Sequence, residues 1–132
     1  MCQSRLFAAL FVLVGLFLTT GCGGKEDPAV VREKVEFQEI YRVYQHFVKS
    51  QEKPPAELSD IATTQYEMLY PVTIKSLQDG KFVVVWNVNS KDARTVLAYD
   101  KDAPEKGGAV LMANGTMKTM TAREFAAVKP AP

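Results

Sequence analysis

Two sets of residues in this sequence are placed to do chemistry. The first is a single thiol. Cys22 stands directly behind Leu6–Leu18, an apolar run of thirteen residues interrupted only by small Ala and Gly, and immediately behind Thr19-Thr20-Gly21. Small residues before a cysteine at the end of such a run resemble a lipobox, the signal for lipid attachment to that cysteine and cleavage in front of it. The second set is four carboxylates, Asp100, Asp102 and Glu105 with Asp92 in the preceding loop. Oxygen-rich loops of this kind supply the hard donors that Ca2+ takes. Lys101 and Lys106 are interleaved among them, so an ordinary solvated, charged loop is the competing reading.

Other chemistry lacks its parts. His46 is the only histidine, and its helical phase puts it on a solvated face, so a zinc site built from N and S ligands is not expected. Ser50, Ser59, Ser76 and Ser90 have no histidine partner in a recognisable spacing, which removes the usual nucleophile and base arrangement. Gly23-Gly24 and Gly107-Gly108 lack the surrounding residues of a phosphate loop. Trp86 and Tyr99 could line a ligand groove, although aromatic residues on strands more often build a core.

The segment that delivers Cys22 begins with Arg5 as its only charge. As a helix the apolar run would measure about 20 Å, against roughly 30 Å of hydrocarbon in a bilayer. It is short for a stable span and has the length of a signal-peptide core. Thr19 stands where the processing enzyme usually meets Leu, and Leu18 lies one position earlier. An ordinary cleaved signal with a coincidental cysteine is the alternative. Cleavage before Cys22 discards Cys2 and leaves a domain without a disulfide, which must then rely on its apolar core. The resulting division is 1–21 signal peptide, 22–27 lipidated cysteine and tether, 28–129 one domain, and 130–132 a proline-rich tail. No acidic residue directly follows Cys22, so either envelope membrane fits.

Of sixteen Lys and Arg, only Arg5 precedes Lys25, so the portion from Cys22 onward carries fifteen basic and fifteen acidic residues. Its basic residues are scattered singly among Asp and Glu, without the stripe that neutralises phosphates, and nucleic acid is set aside as a partner.

The elements that must position these groups follow from patterning. Asp27-Pro28 is a helix start, an N-cap followed by proline at the first helical position. From there Phe37, Ile40, Tyr41, Tyr44, Phe47 and Val48 recur at three and four, while Arg32, Glu36, Glu39, Arg42, His46 and Lys49 take the opposite side, predicting an amphipathic helix of about twenty residues. Propagation should fail near Ser50–Lys53, with Pro54-Pro55 forcing a turn and Leu58 plugging the end of the core. Thr64-x-x-Glu67 reads as a capping box. The stretch to Gln78 fits a helix broken at Pro71, with Gly80 as its stop, or else a hairpin turning at Asp79-Gly80. Phe82–Val88 reads as a buried central strand, and Thr95–Tyr99 as another. Ala109–Met112 and Thr116–Met120 should pair across a type I′ turn at Asn114-Gly115. Thr121-x-x-Glu124 is a second capping box, opening a short helix with Phe125 and Val128. The helix's aromatic face and the valine-rich strands supply each other's missing partner. The expectation is an α+β fold, a long N-terminal helix packed on a three- to four-stranded antiparallel sheet with a short C-terminal helix.

This order resembles the pseudopilin-like proteins of planctomycete-type bacteria, in which a long helix leads through a Pro-Pro turn to a sheet ending in a His-x9-Asp-Gly hairpin and a threonine-capped helix. Tyr44 with Pro54-Pro55 carries the first part of the likeness. Val110–Met117 with Thr121–Phe125 carries the last. The resemblance implies the same α+β shape and, since some pseudopilins hold calcium at a comparable loop, adds a reason to test the Asp100–Glu105 carboxylates. The chain departs at Asn114, in place of the aspartate, and at Pro104, where the histidine would stand. It also has a lipobox in place of a prepilin processing signal.

Together these readings predict a non-enzymatic lipoprotein of the cell envelope, attached to a membrane on the extracytoplasmic side and acting as an interaction or scaffolding module toward other envelope proteins. The alternative is a Ca2+ or small-ligand-binding envelope domain that uses the Asp92 and Asp100–Glu105 loops. No other cofactor is expected.

Overall fold

The computed structural model describes residues 23–128. The signal segment 1–21, Cys22 and the tail 130–132 lie outside the described residues. Asp27 and Pro28 open the first helix as expected: the Asp27 carboxylate accepts the Ala29 amide at 2.8 Å, and Pro28 occupies the first turn. This helix, α1 (Pro28–Gln51), ends where Glu52 turns left-handed, at φ 56°. Its core face is Phe37, Ile40, Val43, Tyr44 and Phe47, while Tyr41 and Val48 are only partly covered.

One residue of the expected solvent face is not in solvent. Glu36 is 2% exposed and buried among the core residues of α1. The reason lies forty residues downstream, where a helix packs along that flank and brings polar partners with it.

Past Pro54-Pro55, α2 (Leu58–Ile61) buries Ile61 completely, while Leu58, the expected plug, is half-buried. The ambiguous stretch is helical. It forms α3 (Thr64–Leu69) and α4 (Pro71–Gln78), divided where Pro71 starts the second helix. The predicted capping box at Thr64 does not form, because the helix starts one residue earlier, with Thr63 as N-cap and the Glu67 amide on the Thr63 carbonyl at 2.9 Å. Thr64 is already inside the helix. At the other end the Lys81 amide donates to the Ser76 carbonyl (3.0 Å) and the Gly80 amide to that of Leu77 (3.1 Å), with Gly80 at φ 72°. That paired closure needs a left-handed residue, the conformation glycine takes without a steric penalty.

The sheet holds four antiparallel strands in the order β1 (Phe82–Val84), β2 (Val96–Asp100), β3 (Gly108–Met112) and β4 (Met117–Met120). The valine-rich run is therefore an edge strand of three residues and not the buried central strand its composition suggests. Its last residues are drawn off the sheet. Val85 still donates to Leu97 (2.8 Å), but Asn87 turns left-handed at φ 60°, its amide donates to the Pro55 carbonyl (2.9 Å), and the Val88 amide donates to the Tyr44 hydroxyl (2.9 Å). The hydroxyl in turn donates to the Val88 carbonyl at 3.2 Å.

The β3–β4 hairpin sits where expected but turns differently. Gly115 has φ 87° while Asn114 does not enter the left-handed region, so a type I′ turn, which needs both, is excluded. The Gly115 amide donates to the Met112 carbonyl (2.9 Å) and the Met112 amide to that of Thr116 (2.8 Å). This is the three-residue loop in which a type I turn is followed by one left-handed glycine. Ala113, 1% exposed, is held inside at the start of the loop.

Both faces of the sheet are covered. Phe82, Val84, Ala98 and Leu111 meet α1 and α4 in the main core, where Phe37 and Phe82 lie 4.7 Å apart. The alternate residues Val96, Val110 and Met112 form a smaller core with Ala103 of α5 (Ala103–Lys106) and Phe125 of α6 (Ala122–Val128). The capping box of α6 is made reciprocally: Thr121 N donates to the Glu124 carboxylate (2.7 Å), and Glu124 N to the Thr121 hydroxyl (3.2 Å). The architecture is α+β as expected, with the small α5–α6 layer added to the two layers anticipated.

Candidate functional site

Cys22 lies outside the described residues, but the chain that follows it does not. Gly23–Asp27 is exposed and without secondary structure, and Glu26 is tied back to Lys34 of α1 by an ion pair of 2.8 Å.

The four carboxylates offered as calcium ligands are distributed among other partners. Asp92 chelates its neighbour Arg94, accepting the backbone amide at 2.8 Å and the guanidinium at 3.1 Å. Those hydrogen bonds hold the Asp92 carboxyl below the usual carboxylate range. Asp100 accepts the Asp102 amide (2.8 Å), Asp102 faces Lys106 at 3.7 Å, and Glu105 is exposed on α5. Among the described residues no three His, Cys, Asp or Glu side chains are grouped so as to hold a metal ion.

His46 is exposed, with its ring edge-on to Tyr66 at 5.6 Å. The two share an open groove of about 260 Å³ with Asp60 and Thr63, but Asp60 is committed to the Ala56 amide at 2.7 Å. A second groove, of about 410 Å³, runs between β4 and α6 and is lined by Lys118, Thr119, Met120, Glu124 and Val128. All four serines bond locally or structurally: Ser50 to the Phe47 carbonyl, Ser59 to Glu57 and Ser76 to Glu36, while Ser90 accepts the Asp92 amide at 3.0 Å. Trp86 packs half-buried against the main core, and Tyr99 meets Phe125 at 4.7 Å with the two rings tilted. Both aromatics are core residues rather than groove walls.

An apolar corner lies elsewhere on the surface. The junction of α3 and α4 exposes Met68 by 79%, Leu69 by 59% and Val72 by 49%, with Pro71 exposed between them. Single exposed apolar residues are ordinary, whereas these are neighbours along the chain. The corner's sequence signal is the uninterrupted run Met68-Leu69-Tyr70-Pro71-Val72, five apolar residues where a helix lying on a core would alternate.

A polar seam holds this corner in place. Glu36 accepts the Ser76 hydroxyl at 2.9 Å and pairs with the Lys81 ammonium, which also lies 4.7 Å from the centre of the Phe82 ring. One turn along α1, the Glu39 carboxylate accepts the hydroxyl of fully buried Thr73. Hydrogen bonds between α1 and α4 are directional where apolar packing is not, so they set the rotation of α4 about its axis. With Thr73, Ile74 and Leu77 facing inward, Val72 and the Met68-Leu69 pair are left outward. Glu33 sits at the rim of the same seam. Its carboxyl is pushed above the usual range, first by burial and then by the charge of Asp100, against the opposing pull of Lys81.

Comparison with known family models, curated proteins and solved structures finds no match to this chain.

Proposed function

We propose that the protein is a lipid-anchored, non-enzymatic module of the cell envelope that holds a partner protein against its α3–α4 corner. The observation that carries this reading is the exposed Met68, Leu69 and Val72 on a helix junction that is fixed to α1 by the Glu36–Ser76–Lys81 and Glu39–Thr73 bonds. An apolar projection on a fixed backbone suits a protein-docking site, since its main chain has little freedom left to lose on binding. Attachment rests on the apolar run and lipobox ahead of Cys22. The non-enzymatic reading rests on the sparse inventory of catalytic side chains, and the pseudopilin-like order of elements suggests a place beside a secretion or pilus-like assembly.

The test is a photo-crosslinking residue at position 68, with a control at position 53, in cells carrying the full chain. A discrete adduct at 68 that is absent at 53, and lost when Leu69→Ser is added, supports the docking corner. Equal labelling at both sites rejects it. Attachment is tested separately. Cys22→Ser should accumulate uncleaved precursor or move the protein off membranes, and normal processing with unchanged membrane partitioning rejects lipidation.

A further inference from the structure

The first two turns of α1 are largely uncovered, with Glu33 alone reaching the rim of the seam. From Pro28 to Val35 every residue is exposed or half-exposed, and the first buried position is Glu36. The projecting part opens with four successive apolar residues, Pro28-Ala29-Val30-Val31, followed by Val35, with the three valines 44, 42 and 46% exposed. This is an unusual choice for a free helix tip. Valine is a weak helix former, losing side-chain rotamers against the preceding turn, and where nothing packs on it nothing offsets that loss. The first turn also carries no acidic residue, although the helix dipole favours one there.

Where the chain comes from says what covers this tip. Cys22 is six residues before Pro28, a span of about 20 Å at full extension. The Glu26–Lys34 ion pair and the Asp27 cap bind the last two tether residues to the helix. Only Gly23-Gly24-Lys25 is left as free line, so Cys22 reaches at most about 14 Å from Glu26. A lipid attached there brings the bilayer surface to the tip itself.

We infer that the apolar tip of α1, Pro28–Val31 with Val35, inserts into the headgroup layer of the membrane as a second contact beside the acylated cysteine, so that the domain is held at a defined orientation. The inference rests on the lipid anchor proposed above. Amphiphilic helices bury apolar side chains to the boundary between headgroups and acyl chains, and Lys25, Arg32 and Lys34 have stems long enough to keep their charges in water while doing so.

The processed lipoprotein carries no other free thiol once Cys22 is acylated, so V31C and K53C each accept a single environment-sensitive dye. K53C lies beyond the opposite end of α1. In vesicles of phosphatidylethanolamine and phosphatidylglycerol containing a quencher-bearing lipid, the dye at position 31 should shift to the blue and be quenched several-fold more than at 53. Equal quenching at the two sites, in protein that floats with the vesicles, overturns the inference and leaves the anchor standing. Dye–dye quenching at position 31 that persists in detergent also overturns it, since it identifies a second copy as the cover. Protein that does not float and whose mass shows Cys22 bare removes the anchor and this inference with it.

Discussion

The carboxylate of Glu36, in the third turn of α1, meets the ammonium of Lys81, the first residue past the glycine that stops α4. Glu36 is almost fully buried and Lys81 is about half in solvent. Removing the cation leaves a carboxylate in the core with only the Ser76 hydroxyl for company. Losing one partner of a fully buried pair costs about 3–5 kcal/mol, and water access at Lys81 reduces that. Lys81→Met should therefore lower stability by about 2 kcal/mol, and the double variant with Glu36→Gln should recover at least half of the loss. Urea denaturation of the two variants and wild type measures both quantities.

Tyr44 makes a narrower prediction. Its hydroxyl both receives the Val88 amide and donates to the Val88 carbonyl, fixing the chain after β1 against α1. Tyr44→Phe should cost about 1–2 kcal/mol, the penalty for a half-buried backbone pair left without a partner. Amide exchange at Val88 should accelerate by at least tenfold while the Ile40 amide on the same helix changes only with global stability.

At Glu33 the prediction concerns pH. A carboxyl whose value is raised by folding binds its proton more tightly in the folded chain, so the folded state gains stability as pH falls through the raised value, and the gain is complete below the ordinary value of 4.5. At neutral pH the charged group is a small liability. Glu33→Gln should raise the melting temperature at pH 7 and leave it equal to wild type at pH 4. A variant less stable at pH 7 would contradict the burial that raises this group.

Gly115 fixes the hairpin. It needs φ 87°, and a Cβ there would lie 3.0 Å from the Tyr41 ring. Gly115→Ala should destabilise by roughly 1–3 kcal/mol, through both the left-handed conformation and the contact. Asn114→Gly should also destabilise, by about 1 kcal/mol, since Asn114 does not use the left-handed region and its Oδ1 accepts the Thr116 amide at 3.0 Å. The second result separates the observed three-residue loop from a type I′ turn, which a glycine at 114 would favour.

Calcium at millimolar concentration should leave the melting temperature unchanged, because Asp92 is engaged by Arg94 and Asp102 by Lys106. A rise of several degrees would revive ion binding at those loops.

What could be read from sequence is what neighbours in sequence decide. The Asp27-Pro28 start, the Gly80 stop and the reciprocal Thr121–Glu124 box are local hydrogen-bonding devices, and the structure forms all three. Position in the tertiary structure was less legible. Glu36 reads as a solvated residue because its partners, Ser76 and Lys81, are forty residues away. Phe82–Val88 reads as a central strand because valine content reports burial, not the number of strand neighbours, and Tyr44 draws off the end of that run. The carboxylates before and after β2 look like a cluster along the chain, yet backbone amides, Arg94 and Lys106 divide them. The Met68–Val72 corner was visible only as a break in periodicity, whose meaning depends on which side of α4 the polar seam turns inward.

The brevity of β1 bears on how many copies can share a surface. The proposed lipid anchor would concentrate the protein in two dimensions, where an open sheet margin is a template for pairing with the next molecule and for aggregation. Here that margin is three residues long, because Tyr44 and Pro55 take the amides beyond it, and the other margin, β4, presents Lys118 outward. The clamp that shortens the strand thus favours molecules that stay separate when crowded.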